Sequence, residues 1–101
     1  MGATTFFNTG FGNSAKEVFD VLVSNARYDY GHGGYTGTIA EKSSFTMISL
    51  PKGTNPMYFA ESLIDARDIR VDDKWGPAGC IECPSVDKNN KTYLFFGWAS
   101  E

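Results

Sequence analysis

Apolar positions change period several times along the chain, and each change marks an element. Residues 3–7 mix Thr with Phe and predict a short first strand, followed by a loop over residues 8–13 rich in Asn and Gly. Ser14 then precedes an apolar stripe, Val18, Phe19, Leu22, Val23 and Ala26, at helical spacing. Glu17, three residues after Ser14, completes a capping box, and Gly31 is placed to stop the helix just past Tyr30. Residues 36–41 and 45–50 predict two strands joined through residues 42–44. Thr54 or Asn55 caps a second helix with Pro56 at its first position, ending near Asp68. Residues 69–77 form a polar connection, and residues 79–83 and 91–98 predict two more strands around an Asp-Lys-Asn-Asn turn. The last of these is the most apolar run in the chain and is expected in the middle of the sheet.

The predicted order is strand, helix, strand, strand, helix, strand, strand. It implies an α+β fold with a mainly antiparallel sheet of about five strands and both helices on one face. The first six elements follow the ferredoxin-like order, with one strand added. A length of 101 residues suits a single domain with one core.

Composition narrows the function classes. The net charge of −3 comes from mixed acidic and basic side chains without a basic cluster, so non-specific nucleic-acid binding is not expected. An acidic protein can still engage a basic protein surface, such as the nucleic-acid channel of an enzyme. The start of the chain carries no basic residues leading into an apolar run, and no stretch approaches the length of a membrane span. With two cysteines and no secretion signal, the expectation is a reducing cytoplasm and free thiols.

Candidate chemistry concentrates in residues 27–42. This stretch holds His32, the single histidine, and Tyr28, Tyr30 and Tyr35, three of the five tyrosines. Tyrosine offers rigid contact area with a polar tip, and glycine lets a ligand or another strand approach. The segment therefore predicts a recognition loop, with Arg27, Tyr28, Tyr30, His32, Tyr35, Thr36, Thr38, Glu41 and Lys42 as candidate binding residues. Lys74 and Trp75, beside the rigid Gly76-Pro77 pair, add a second candidate contact, although Trp75 could equally plug the core edge.

Enzymatic readings are weaker. The glycines of residues 31–34 follow a helix, whereas phosphate loops precede one, so a P-loop is rejected. His32 could shuttle protons, but no recognised spacing supplies it with a nucleophile and an orienting acid. Cys80 and Cys83 form a C-x-x-C on a predicted strand, where residues three apart point to opposite faces; buried structural thiols fit better than zinc or redox chemistry. Asp65, Asp68, Asp72 and Asp73 alternate with Arg67, Arg70 and Lys74 and read as a solvated surface with local ion pairs. No catalytic residue, metal site or cofactor is expected.

The strings Arg27-Tyr28-Asp29-Tyr30-Gly31-His32, residues 34–42, residues 73–80 and the closing residues 95–100 together resemble a family of small proteins from phages and other mobile elements. Some proteins of similar pattern look like inhibitors of bacterial immunity, anti-CRISPR proteins among them. The resemblance implies a setting, the cytoplasm of a bacterial host, and a host defence protein as partner; it nominates no catalytic residue. Two other functions stay open from the residues: a small-ligand binder that sequesters a signalling nucleotide in the Gly/Tyr loop, and a small hydrolase using His32. An exposed edge strand in so short a chain would also allow a homodimer.

Overall fold

The computed structural model describes residues 2–31, 35–84 and 91–101. Four strands and two helices follow in the order β1 (Ala3–Gly12), α1 (Ala15–Tyr30), a 3-10 turn (Ile39–Glu41), β2 (Phe45–Met47), α2 (Pro56–Asp65), β3 (Ala78–Cys83) and β4 (Lys91–Ser100). The fold is α+β with one mixed sheet, ordered β1-β4-β3-β2. β4 pairs antiparallel with both β1 and β3, while β2 runs parallel to β3. The parallel pair follows from α2 lying between β2 and β3, since parallel strands need a crossover connection.

The structure corrects several expectations. The sheet has four strands and is mixed, where about five mainly antiparallel strands were expected. The predicted strand over residues 36–41 is a bend and a 3-10 turn. Its Thr and Glu side chains hydrogen-bond to neighbouring backbone and to one another, and Gly37 takes φ 70°. Finally, the helices lie on opposite faces of the sheet, which departs from the ferredoxin-like arrangement.

The two faces have separate cores. Phe6, Val18, Phe19, Val23, Ile39, Tyr93 and Phe95 pack together on the α1 side. Ile48, Ala60, Ile64, Val71, Ile81, Leu94 and Phe96 pack together on the α2 side. β4 supplies both, because successive side chains alternate between faces. Phe95 enters the first core and Phe96 the second, and both are fully buried. Each such ring contributes roughly 1.5–3 kcal/mol. A strand apolar at consecutive positions is covered twice, and here that requires a helix on each side.

β1 runs five residues further than the predicted strand. Gly10 and Gly12 serve close packing and not a turn: a Cβ on Gly10 would lie 2.7 Å from Val18 Cγ1, and one on Gly12 would lie 2.8 Å from Val18 Cγ2. α1 can settle on the strand only because those side chains are absent. Its predicted ends agree with the structure. Ser14 Oγ accepts from the Glu17 N–H at 3.2 Å, and Gly31, at φ 88°, donates its N–H to the Arg27 carbonyl at 2.8 Å. α2 begins as predicted, with Asn55 Oδ1 accepting from the Tyr58 N–H and Pro56 in the first turn, and it ends at Asp65.

Candidate functional site

The candidate residues sort into a half-buried frame around the buried Lys42 and an exposed rim. Thr36, Thr38 and Glu41 belong to the frame. Glu41 Oε2 accepts from both the Thr36 N–H (3.2 Å) and its hydroxyl (2.7 Å), and the Thr36 and Thr38 hydroxyls are 2.8 Å apart. Thr38 Oγ1 also caps the 3-10 turn by accepting from the Ala40 N–H. This ring of bonds holds Ile39 in the α1-side core, at 1% exposure. Their polar groups thus satisfy one another and the local backbone.

Lys42 is the centre of the frame. It is 2% exposed, and its ammonium donates to the carbonyls of Gly76 (2.8 Å), Lys74 (3.2 Å) and Asp73 (3.4 Å). The same nitrogen sits 6.0 Å from the centroid of the Phe6 ring. Burial holds the Lys42 ammonium below the usual lysine range, and the Asp73 carboxylate partly opposes that shift. Three carbonyls converging on one cation fasten residues 73–76 to the segment that follows α1. Sequence reading placed Lys42 on a contact surface; no local pattern marks a lysine whose partners lie more than thirty residues away.

The loop so fastened is ordered by its own bonds. Asp73 Oδ1 accepts from the Trp75 N–H at 2.8 Å, and the Asp73 carbonyl accepts from the Gly76 N–H at 3.0 Å. Trp75 is pushed outward to 64% exposure. Tyr35 meets it edge-on, with centroids 6.2 Å apart and planes at 86°. The Lys74 ammonium lies 5.4 Å from the Trp75 centroid and donates to the Gly2 carbonyl at 3.2 Å. The structure therefore brings Tyr35, Lys74 and Trp75 together from two segments some forty residues apart in the chain.

Tyr28 and Tyr30 end α1 and are exposed, Tyr28 at 91%. Arg27 and Tyr28 border a shallow depression of about 570 Å³ that also reaches Phe19, Val23, Lys42 and Ser43. His32, named above as a candidate binding residue, lies outside the described residues.

The remaining groups carry little chemistry. Cys80 and Cys83 are free and lie on opposite faces of β3, in the two separate cores. Burial pushes the Cys80 thiol up to about 12, so it stays protonated and unreactive near neutral pH. Asp68 and Arg70 form a two-pronged pair with both N···O distances at 2.9 Å, which holds the Asp68 carboxyl down at about 2. Among the described residues no group of three or more His, Cys, Asp or Glu side chains could hold a metal ion. No helix among them is long and apolar enough to cross a membrane.

A further concavity escaped sequence reading. On the α2 side, β1 and the end of β4 form the floor of a groove of about 770 Å³ whose wall is α2. Ala3, Thr5, Phe7, Ile64 and Trp98 supply its apolar part.

These features define a small α+β domain with an exposed aromatic pair, Tyr35 and Trp75, on a loop fastened by Lys42. The chain matches no family profile, no curated protein sequence and no solved structure.

Proposed function

We propose that the protein is a non-enzymatic binder from a mobile element that blocks a host defence protein, with Tyr35, Lys74 and Trp75 at the centre of its contact surface. The observation that carries the binding part is the exposure of Trp75 on a loop held by the buried Lys42 ammonium. Tryptophan and tyrosine dominate the energetics of protein interfaces when they stand on a preorganised base. A ring already fixed by Tyr35 and Lys74 loses little freedom on binding. The net charge of −3 favours approach to a basic partner surface. The mobile-element setting rests on the resemblance of the strings around residues 27–42 and 73–80.

The test is a phage-challenge assay in bacteria carrying a defined immune system, with and without the protein. Expression should raise plaque formation, and Trp75→Ala combined with Tyr35→Ala should abolish that effect while leaving the fold intact by circular dichroism. A folded, expressed protein that protects phage in none of the defended hosts would overturn the proposal.

A second reading, a binder of a signalling nucleotide, draws on the depression beside Arg27 and Tyr28. A guanidinium and an exposed ring suit a phosphate and a base. A thermal-shift screen with cyclic nucleotides tests it: a rise of several degrees that disappears in Arg27→Ala supports the nucleotide. A flat response across the screen removes this reading.

A further inference from the structure

β1 is a sheet edge with unusual properties. It is ten residues long, pairs with β4 on one side, and has no strand on its other side among the described residues. Edge strands are normally guarded against pairing by charges, proline, bulges or short length. β1, reading Ala-Thr-Thr-Phe-Phe-Asn-Thr-Gly-Phe-Gly, has no charged residue and no proline, and its register with β4 is unbroken.

Hydrogen-bond parity identifies the groups left at that edge. Gly2 and Glu101 exchange both N–H···O bonds, at 3.2 and 3.3 Å. In an antiparallel ladder such pairs alternate, so the even-numbered residues of β1 direct their amides and carbonyls toward β4. Ala3, Thr5, Phe7, Thr9 and Phe11 direct theirs to the open side. Their side chains share the α2 face, where Ala3, Thr5 and Phe7 floor the groove. Phe11, on the same row, is 70% exposed.

We propose that β1 pairs antiparallel with β1 of a second copy of this chain, joining two sheets of four strands across a two-fold axis at Phe7. Only an odd residue can face an odd residue through its free backbone groups. Centring on Phe7 gives the full overlap of the two strands: Phe7 faces its own copy, Thr5 faces Thr9, and Ala3 faces Phe11. Each of these odd pairs can exchange two backbone bonds. The side chains fit as well: a ring pair lies on the axis, threonines meet threonines, and the exposed Phe11 ring is set against the small Ala3 at the groove mouth. Neither strand carries a charge, so self-pairing sets no like charges of β1 opposite each other. A copy of the same strand is therefore the occupant to which this edge is matched. The interface is isologous, as closed dimers require.

The experiment measures solution mass by light scattering across a dilution series, using the full chain. The wild type is expected at twice its 11.1 kDa chain mass. Thr9→Pro removes an outward N–H without touching the β4 ladder, and Phe11→Lys places a charge on the edge. Both should run at the single-chain mass with an unchanged circular dichroism spectrum. Register is tested separately by cysteine pairs. Thr5→Cys and Thr9→Cys should each resist cross-linking alone, but a mixture of the two should form an inter-chain disulfide on mild oxidation. A wild type that stays at the single-chain mass throughout, or a dimer that survives both edge variants, would overturn the proposal. So would a mixture that fails to cross-link.

Discussion

The ammonium of Lys42 lies 2.8 Å from the carbonyl oxygen of Gly76, inside the protein and away from water. This one contact, with the carbonyls of Lys74 and Asp73, couples two distant segments of the chain. Lys42→Met keeps the length of the side chain and removes the charge, leaving buried carbonyls without their donor. The expected loss is about 2–3 kcal/mol, from charge-assisted bonds to buried acceptors. For a domain of this size that lowers Tm by roughly 10 °C or more. Thermal melts at neutral pH check it, and a change below about 1 °C would show that the clamp does not hold the loop.

Trp75→Ala should separate binding from stability. The ring is exposed and its contacts are with Tyr35 and Lys74 at the surface. Surface truncations of this kind stay within about 0.5 kcal/mol. A binding contact at the centre of an interface costs upwards of about 2 kcal/mol, a thirtyfold weakening or more. Denaturant melts should therefore stay nearly unchanged while the phage-challenge assay loses its effect. A variant that unfolds easily would place Trp75 in the fold and not in the contact.

Local signals were legible in the sequence, and long-range ones were not. Ser14, Glu17 and Gly31 announced both ends of α1, because caps involve residues within one turn of each other. Asn55 and Pro56 did the same for the start of α2. Element order alone points to helices on one face, whereas the unbroken apolar run through Leu94, Phe95 and Phe96 requires cover on both. Gly10 and Gly12 read as turn residues in the sequence because their reason for being glycine, the Val18 side chain, lies on another element. At the site, Tyr28 and Trp75 stand out as candidates by residue type, but their exposure is a finding of the structure: Tyr93, of the same type as Tyr28, is buried. The inward turn of Lys42 was not legible, since a lysine near polar neighbours reads as solvated.

That packing gives a mutational test of the β1–α1 contact. Gly10→Ala would place a Cβ 2.7 Å from Val18 Cγ1, so close that the Val18 side chain or the helix that carries it must shift. The expected cost is about 1–3 kcal/mol, typical of overpacking. Val18→Ala should recover part of that cost when combined with Gly10→Ala, giving a coupling of at least about 0.5 kcal/mol in a double-mutant cycle. Additive losses would mean that the two residues do not meet.

Stability should decline in alkali, and Cys80 sets much of the slope. Its thiol is pushed up to about 12 by burial, chiefly, and by the nearby Cys83 and Glu82, from an ordinary value of 9.0. The folded state thus keeps a proton that the unfolded chain releases above pH 9. The contribution is fully present below pH 9 and is lost as pH rises toward about 12, at up to about 1.4 kcal/mol per pH unit for one proton. Cys83 and Tyr93 are shifted in the same direction by burial and steepen the fall. Lys42 works against it: its lowered value means that the unfolded chain holds the extra proton, so its share of stability rises as pH approaches 10.5. Denaturant melts between pH 8 and 11 should give a negative slope for the wild type and a shallower one for Cys80→Ala. In Lys42→Met the negative slope should be steeper than in the wild type, because the opposing group is gone. Identical slopes in all three proteins would mean that neither buried group titrates as the structure requires.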